Sequence, residues 1–93
     1  MSTVIYVNNL PFDTTSEELR VLFCTYGIVE TVALISDRQT GRPCGFGFVG
    51  MMNGANEAIA ALNNMRLRGN RLDVKFPATW WQTRSLKPVQ NEN

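Results

Sequence analysis

Histidine is absent from this chain of 93 residues, and its two cysteines, Cys24 and Cys44, stand alone in the sequence. A zinc site of the usual Cys/His type is excluded because two possible ligands are too few. The chain also lacks a Gly-rich phosphate loop with its lysine and a convincing nucleophile beside a base. These absences predict a protein that is not an enzyme and holds no metal or cofactor. Both cysteines are expected to be free thiols in a reducing compartment.

Strong charge and long apolar runs are missing as well. Nine Lys and Arg residues against eight Asp and Glu residues leave a net charge of +1. A protein that binds nucleic acid mainly through phosphates is expected to be strongly basic, so any binding by this chain must depend on local contacts. No segment approaches the run of about 18 apolar residues that spans a bilayer, which predicts no membrane association. We find no targeting signal and expect either the nucleus or the cytoplasm.

Alternating and helical apolar patterns divide the chain into six elements of one domain. Thr15 and Glu18 form a capping box ahead of the first helix, and Asn53 is placed to cap the second. The order is strand, helix, strand, strand, helix, strand. It predicts a ferredoxin-like α+β fold, with a four-stranded antiparallel sheet and both helices on one face. The predicted strands cover residues 4–10, 29–36, 44–51 and 71–76.

The third strand, which reads CGFGFVGM, indicates which side chains point away from the core. Successive side chains of a strand point to opposite faces, so Phe46 and Phe48 lie opposite Gly47 and Val49. Val49 belongs with the aliphatic residues that meet the helices, and Gly45 and Gly47 share its face. The glycines are therefore predicted to lie on the helix side, where close packing of the helices against the sheet favours small residues. Phe46 and Phe48, together with Tyr6 of the first strand, are then predicted to face away from both helices.

Three aromatic rings on an uncovered sheet face indicate an interaction site, because large exposed apolar patches are uncommon otherwise. One interpretation is a stacking platform for single-stranded bases, whose faces pair with aromatic rings without needing charge. The other is that the C-terminal segment with Trp80 and Trp81 folds back and covers the rings. The residues alone leave both interpretations open.

Two motifs on the predicted sheet resemble those of the RNA recognition motif family, and the resemblance covers about residues 3–78. The family's eight-residue motif on the third strand is K/R-G-F/Y-G/A-F-V-x-F/Y. The chain matches it at Gly45, Phe46, Gly47, Phe48 and Val49. Residues 5–10 meet the six-residue motif of the first strand, aliphatic-aromatic-aliphatic-x-Asn-Leu, in full. We therefore expect an RNA recognition motif domain over residues 1–78 and a partly disordered C-terminal extension over residues 79–93.

The resemblance implies that the chain binds short single-stranded RNA, in post-transcriptional RNA processing or regulation. It also implies that bases stack on Tyr6 and Phe48, while Phe46 packs against sugars or between two nucleotides. We further expect the protein to be a monomer.

Four more residues are candidates beside the rings. Asn8 and Lys75 have the outward parity of their strands and are placed to hydrogen-bond a base edge, although Asn8 is equally well explained as structural. Asp73 shares that parity and is likewise placed to hydrogen-bond a base edge, although a solvated charge is the simpler explanation for it. Trp80, with its neighbour Trp81, packs on or covers the sheet, extends the stacking surface, or binds a protein partner.

The chain departs from the family where positive charge is expected. Cys44 replaces the basic residue that commonly contacts phosphate, and Ala33 stands where relatives often have lysine. Arg42 and Arg38, from the loop before the third strand, are expected to substitute in part. Met51 replaces the last aromatic residue of the motif and has the inward parity of a core residue. Weaker phosphate anchoring is the predicted consequence.

A protein-interaction module is the alternative from a different class. Arg66, Arg68 and Arg71 cluster near a turn away from the rings and are predicted to form a solvated rim. Family members that bind peptides through this loop tend to carry Arg-x-Phe, whereas the chain reads Arg66-Leu67-Arg68. That difference favours RNA, while the tryptophan pair and the low charge favour a protein partner bound through the C-terminal tail.

Overall fold

The computed structural model describes residues 2–77 and confirms the predicted ferredoxin-like α+β fold. Four strands form one antiparallel sheet in the order β2-β3-β1-β6, and the strands β4 and β5 form a separate hairpin. The elements are β1 (Thr3–Asn8), α1 (Ser16–Cys24), β2 (Val29–Ser36), β3 (Pro43–Met51), α2 (Ala55–Leu62), β4 (Arg66–Leu67), β5 (Asn70–Arg71) and β6 (Asp73–Lys75). Within residues 2–77 no helix is long and apolar enough to cross a membrane. Trp80 and the predicted C-terminal extension fall outside the described residues.

Both helices pack on the same face of the sheet and enclose one apolar core. Leu19 and Phe23 of α1 are buried, as are Ala58 and Leu62 of α2. Further buried side chains of the same cluster come from the sheet and from Leu72, which lies between β5 and β6: Ile5, Val7, Val49, Met51 and Val74 are those of the sheet. Burial of one large aliphatic or aromatic side chain contributes roughly 1.5–3 kcal/mol. The burial of Met51 confirms its predicted place in the core.

The start of α1 follows only half of the predicted capping box. The Thr15 side chain accepts a hydrogen bond from the Glu18 backbone N–H at 3.1 Å, which satisfies one of the unpaired donors at the helix start. The Glu18 carboxylate does not close the box. It accepts hydrogen bonds from Arg68 of the β4–β5 hairpin instead, because a guanidinium offers a charged donor.

The prediction that Asn53 caps α2 is wrong. Gly54 occupies the cap position in a left-handed conformation (φ 77°), and its helix end has no side-chain cap. The Asn53 side-chain oxygen instead accepts a hydrogen bond from the Ile28 backbone N–H at 2.9 Å. A Cβ atom on Gly54 would collide with the Tyr26 carbonyl group. The loop before β2 therefore lies close enough to require a glycine at position 54 and to bind the Asn53 side chain.

The strand predicted over residues 71–76 is divided in the structure. β5 ends at Arg71, and β6 covers only Asp73–Lys75. Phe76, the last residue of the predicted strand, lies outside β6 and is 45% exposed. The strand ends before it because Pro77 has no backbone N–H and restricts the conformation of the preceding residue.

The glycines of β3 serve the sheet itself rather than close helix packing. Gly47 lies on the helix side as predicted, paired with Val7 on β1 and Leu34 on β2. A Cβ atom there would collide with the Ala33 carbonyl oxygen and crowd Leu34. Gly45 has a φ of 83°, which residues with a side chain rarely adopt. The closeness of β2 therefore excludes a side chain at Gly47, and backbone conformation explains Gly45.

Candidate nucleic-acid interface

Three aromatic rings form the centre of the sheet face opposite the helices. Tyr6 lies on β1, and Phe46 and Phe48 lie on the neighbouring β3. The centroid of the Tyr6 ring is 5.9 Å from that of Phe46 and 5.7 Å from that of Phe48. The two Phe centroids are 6.3 Å apart, with the ring planes at 87°. All three side chains are half-buried, so this aromatic cluster supports itself and still presents ring surface.

The strand register arranges the side chains of this face in two rows. The first row consists of Ala33, Phe48, Tyr6 and Lys75, one from each strand of the sheet. The second row consists of Phe46, Asn8 and Asp73. Side chains directly opposite each other in an antiparallel pair have Cβ atoms roughly 4.5–5.5 Å apart. The polar residues of β1 and β6 therefore lie within reach of a planar group stacked on the rings.

Lys75 joins the aromatic cluster to a carboxylate. Its Nζ atom lies 5.9 Å from the centroid of the Tyr6 ring and 3.3 Å from Oδ2 of Asp73. The two charged side chains remain 59% and 45% exposed, and exposed ion pairs contribute only roughly 0–1 kcal/mol. The pair is therefore weak enough to rearrange when another partner approaches.

The loop between β2 and β3 is a tight turn organised by Asp37. The Asp37 carboxylate accepts hydrogen bonds from the backbone N–H groups of Gln39 (2.8 Å) and Thr40 (3.2 Å). The Asp37 backbone N–H donates to the Arg42 carbonyl at 2.7 Å. Arg38 and Arg42 are exposed, and neither makes an ion pair with another residue of the described range. The turn thus holds two cations beside the strand that carries two of the rings.

The cysteines are free in the structure, as predicted, and both are exposed. Cys44 lies at the start of β3, where the family motif has a basic residue. A thiol lacks the permanent positive charge of arginine or lysine, so this position supplies no cation for a phosphate.

A mostly apolar cleft lies beside Phe46, between the β1–α1 loop and the adjoining ends of β2 and β3. Its lining comprises Leu10, Pro11, Thr14, Leu34, Ile35, Ser36, Pro43, Gly45 and Phe46. These residues come from three separate segments, and no local pattern in the sequence indicated the cleft. It extends the apolar surface of the aromatic cluster at one edge.

Arg68 is exposed, as predicted for the rim, but it also makes contacts that were not predicted. Its guanidinium donates to the Asp13 carboxylate at 2.9 Å and to the Glu18 carboxylate, which fastens the β4–β5 hairpin to the start of α1. The hydrogen bond from Arg68 holds the pKa of the Glu18 carboxyl below its ordinary value of 4.5. No local pattern in the sequence indicated this cluster, because 50 residues or more separate Arg68 from its partners. Arg66 and Arg71 are exposed, in agreement with the prediction.

The fold and the aromatic cluster are those of a known family. A family model described as "RNA recognition motif" matches residues 5–73, which is more than half of the chain. The chain belongs to the RNA recognition motif family.

A relative with similar sequence carries RNA binding in its name. The RNA-binding protein CP31B, chloroplastic, of Arabidopsis thaliana is 49% identical over 72 residues. The matched segment is 75% of this chain but only 25% of that protein, so the chain spans about a quarter of the relative's length. Because this relative is chloroplastic, the expected location in nucleus or cytoplasm stays a prediction.

Solved structures of the same fold include proteins named for RNA. The crystal structure of RNA binding protein PG1 has a TM-score of 0.78 and 42% identity, covering 81% of this chain and 93% of that one. The structure of the Rna15 RRM with bound RNA (GU) has a TM-score of 0.72 and 27% identity, covering 92% and 95%.

The structure brings most of the predicted site residues together on one side of the sheet. The residues that share the open face are Tyr6, Phe46, Phe48, Asn8 and Lys75. Arg38 and Arg42 lie on the adjoining loop, and Trp80 lies outside the described residues. The contacts of these side chains with RNA remain predictions.

Proposed function

We propose that this domain binds a short single-stranded RNA, about two to four nucleotides long, across the open face of its sheet. The observation that carries the proposal is the aromatic cluster, in which Tyr6, Phe46 and Phe48 lie within about 6 Å of one another on the face opposite both helices. Membership of the RNA recognition motif family supports it. The proposed activity is binding rather than catalysis.

Each ring has a distinct part in the proposal. Tyr6 and Phe48 are adjacent across β1 and β3 and each stack one base, whereas Phe46 contacts sugars or lies between two nucleotides. Stacking of a base on an aromatic side chain contributes roughly 1–3 kcal/mol. Since the interaction uses the ring face, it needs no net positive charge.

Polar and charged neighbours complete the proposed site. Asn8 and Lys75 hydrogen-bond base edges, and Arg38 and Arg42 contact phosphates in place of the cation missing at Cys44. A net charge of +1 gives little long-range attraction for RNA. Micromolar binding requires about −8 kcal/mol, whereas the two bases stacked on Tyr6 and Phe48 contribute roughly 2–6 kcal/mol, so we expect a dissociation constant that is micromolar or weaker.

The proposal covers residues 1–78 as the binding domain of a monomer that acts in post-transcriptional RNA processing or regulation, in the nucleus or cytoplasm. Trp80 belongs to the extension proposed for residues 79–93. There it adds stacking surface, covers the sheet, or forms a site for a protein partner.

A double substitution on the open face tests the proposal. The Phe46→Ala/Phe48→Ala variant should stay folded, because both rings lie outside the core, and should lose measurable binding to short RNA pools. Binding is followed by nuclear magnetic resonance titration of the 15N-labelled protein, with shifts expected at Tyr6, Phe46 and Phe48 in the parent.

Val21→Ala is the matched control, since Val21 is an exposed apolar residue on α1 and 56% exposed. It should bind as the parent does. Unfolding of the double variant, or binding equal to the parent, contradicts the role of the rings. No shifts with any RNA pool would favour a protein partner instead.

A further inference from the structure

We infer that Asp73, acting with Lys75, selects a guanine for the base that stacks on Tyr6. The inference rests on the proposed RNA binding and adds a base preference to it. It concerns an acidic residue on a surface proposed to receive a polyanion. A carboxylate there repels phosphate, so its presence is better explained by contact with a base edge than with the RNA backbone.

The register places Asp73 where a base edge would lie. Lys75 is directly opposite Tyr6, and Asp73 is directly opposite Asn8, two residues further along β1 on the same face. Because Asp73 and Lys75 are two apart on β6, their side chains project from the same face of the edge strand. In the structure the Lys75 ammonium lies over the Tyr6 ring, so a base that stacks there displaces the flexible lysine to the base's rim, on the Asp73 side.

The two groups present an acceptor and a donor side by side. The Asp73 carboxylate accepts hydrogen bonds only, and the Lys75 ammonium donates only. They lie 3.3 Å apart, which allows one base edge to contact both. Exposure of 45% and 59% leaves each side chain accessible to a ligand.

Guanine fits this arrangement better than the other bases. Its Watson–Crick edge carries two neighbouring donors, N1–H and the N2 amino group, which match the two oxygens of one carboxylate, and its O6 accepts from the ammonium. Uracil offers one donor, N3–H. Adenine and cytosine each offer one amino group beside a ring nitrogen acceptor. Only guanine makes a bidentate pair with Asp73 and a third bond with Lys75.

The contact between Lys75 and Tyr6 strengthens the assignment. The ammonium lies over the ring, 5.9 Å from its centroid, so a base that stacks on Tyr6 takes the place of the ammonium and brings its edge to the lysine. The weak ion pair with Asp73 keeps the two charged groups side by side and is free to rearrange when a base enters. Guanine would keep both charges paired, whereas uracil would leave one carboxylate oxygen without a base donor.

The test measures discrimination among four RNA tetranucleotides, UUXU, in which X is guanine, adenine, cytosine or uracil. The parent should bind UUGU roughly tenfold more tightly than UUUU, in line with the discrimination of a bidentate base contact. Asp73→Asn replaces an acceptor-only group by an amide of the same size and should reduce the ratio to about twofold or less. Dissociation constants come from fluorescence anisotropy of labelled RNA.

Glu57→Gln is the matched control, because Glu57 is an exposed carboxylate on α2, behind the sheet. It changes the net charge by the same amount and should keep the parent's ratio. If the parent binds all four RNAs equally, the guanine preference is overturned and the proposed function still stands. If Asp73→Asn keeps the parent's ratio, the role of Asp73 is overturned and the proposed function again stands. A preference for adenine or cytosine also overturns the inference. Failure of all four RNAs to bind overturns the proposed function itself.

Discussion

Both faces of the sheet carry large side chains, but the two faces use them differently. On the helix face, residues such as Ile5 and Val49 are fully buried in the apolar core. On the open face, Tyr6 and its two phenylalanine neighbours are half-buried and lie beside a lysine, an aspartate and an asparagine. One face therefore determines stability, and the other is available for a ligand. The difference separates folding from binding within a single sheet.

The largest expected effect on stability comes from replacing one phenylalanine by alanine, first in the core below the helix face and then on the open face. Phe23→Ala removes a fully buried ring from α1 and should lower the free energy of unfolding by roughly 3–5 kcal/mol. Phe48→Ala on the open face should lower it by about 1 kcal/mol or less, since its ring is only half-buried. Urea denaturation of both variants measures the difference. Equal losses would mean that the open face is part of the core.

A smaller effect is expected on the helix face of β3, at Gly47. Gly47→Ala forces a methyl group against the Ala33 carbonyl oxygen, which is backbone and has little room to move. Overpacking of this kind costs roughly 1–3 kcal/mol, again measurable by urea denaturation. Cys44→Ala, at an exposed position on the same strand, is the control and should be nearly neutral. If Gly47→Ala left the free energy of unfolding unchanged, the backbone of β2 at Ala33 would have to shift at little cost, which contradicts the prediction.

The smallest effect is expected away from both faces, at the ion-pair cluster of the hairpin. Arg68 lowers the pKa of Glu18 in the folded state, so the cluster stabilises the fold above the unfolded pKa and loses that stabilisation as the pH falls through the folded value. Glu18→Gln should therefore flatten the fall in stability below about pH 4.5. Thermal denaturation between neutral pH and pH 3 measures it. Glu17→Gln serves as the control, and an unchanged acid profile in Glu18→Gln would contradict the role of the pair.

The sequence predicted what depends on local patterns. Alternation along β3 was enough to place Phe46 and Phe48 on the open face and Met51 in the core, because side-chain direction in a strand follows from position alone. The pairing of Thr15 with Glu18 was likewise predictable from their spacing.

The errors arose where the partner of a side chain comes from a segment that is distant in the sequence. Asn53 was expected to cap α2 but serves the loop before β2, and Glu18 binds Arg68, which is 50 residues away. The weak pair of Asp73 and Lys75 depends on side-chain placement at a sheet edge, and spacing alone did not reveal its contact with Tyr6. Local propensity carries no information about such contacts.

The two edges of the sheet also bear on how the domain behaves at high concentration. β6 has three residues, two of them charged, and Pro77 follows closely after it. β2 is longer, but its pairing shifts register between Val29 and Thr31 and again between Leu34 and Ser36. Short, charged and irregular edges offer a poor template for strands of another molecule. The same architecture that leaves one face open for a ligand therefore protects its rims against edge-to-edge aggregation.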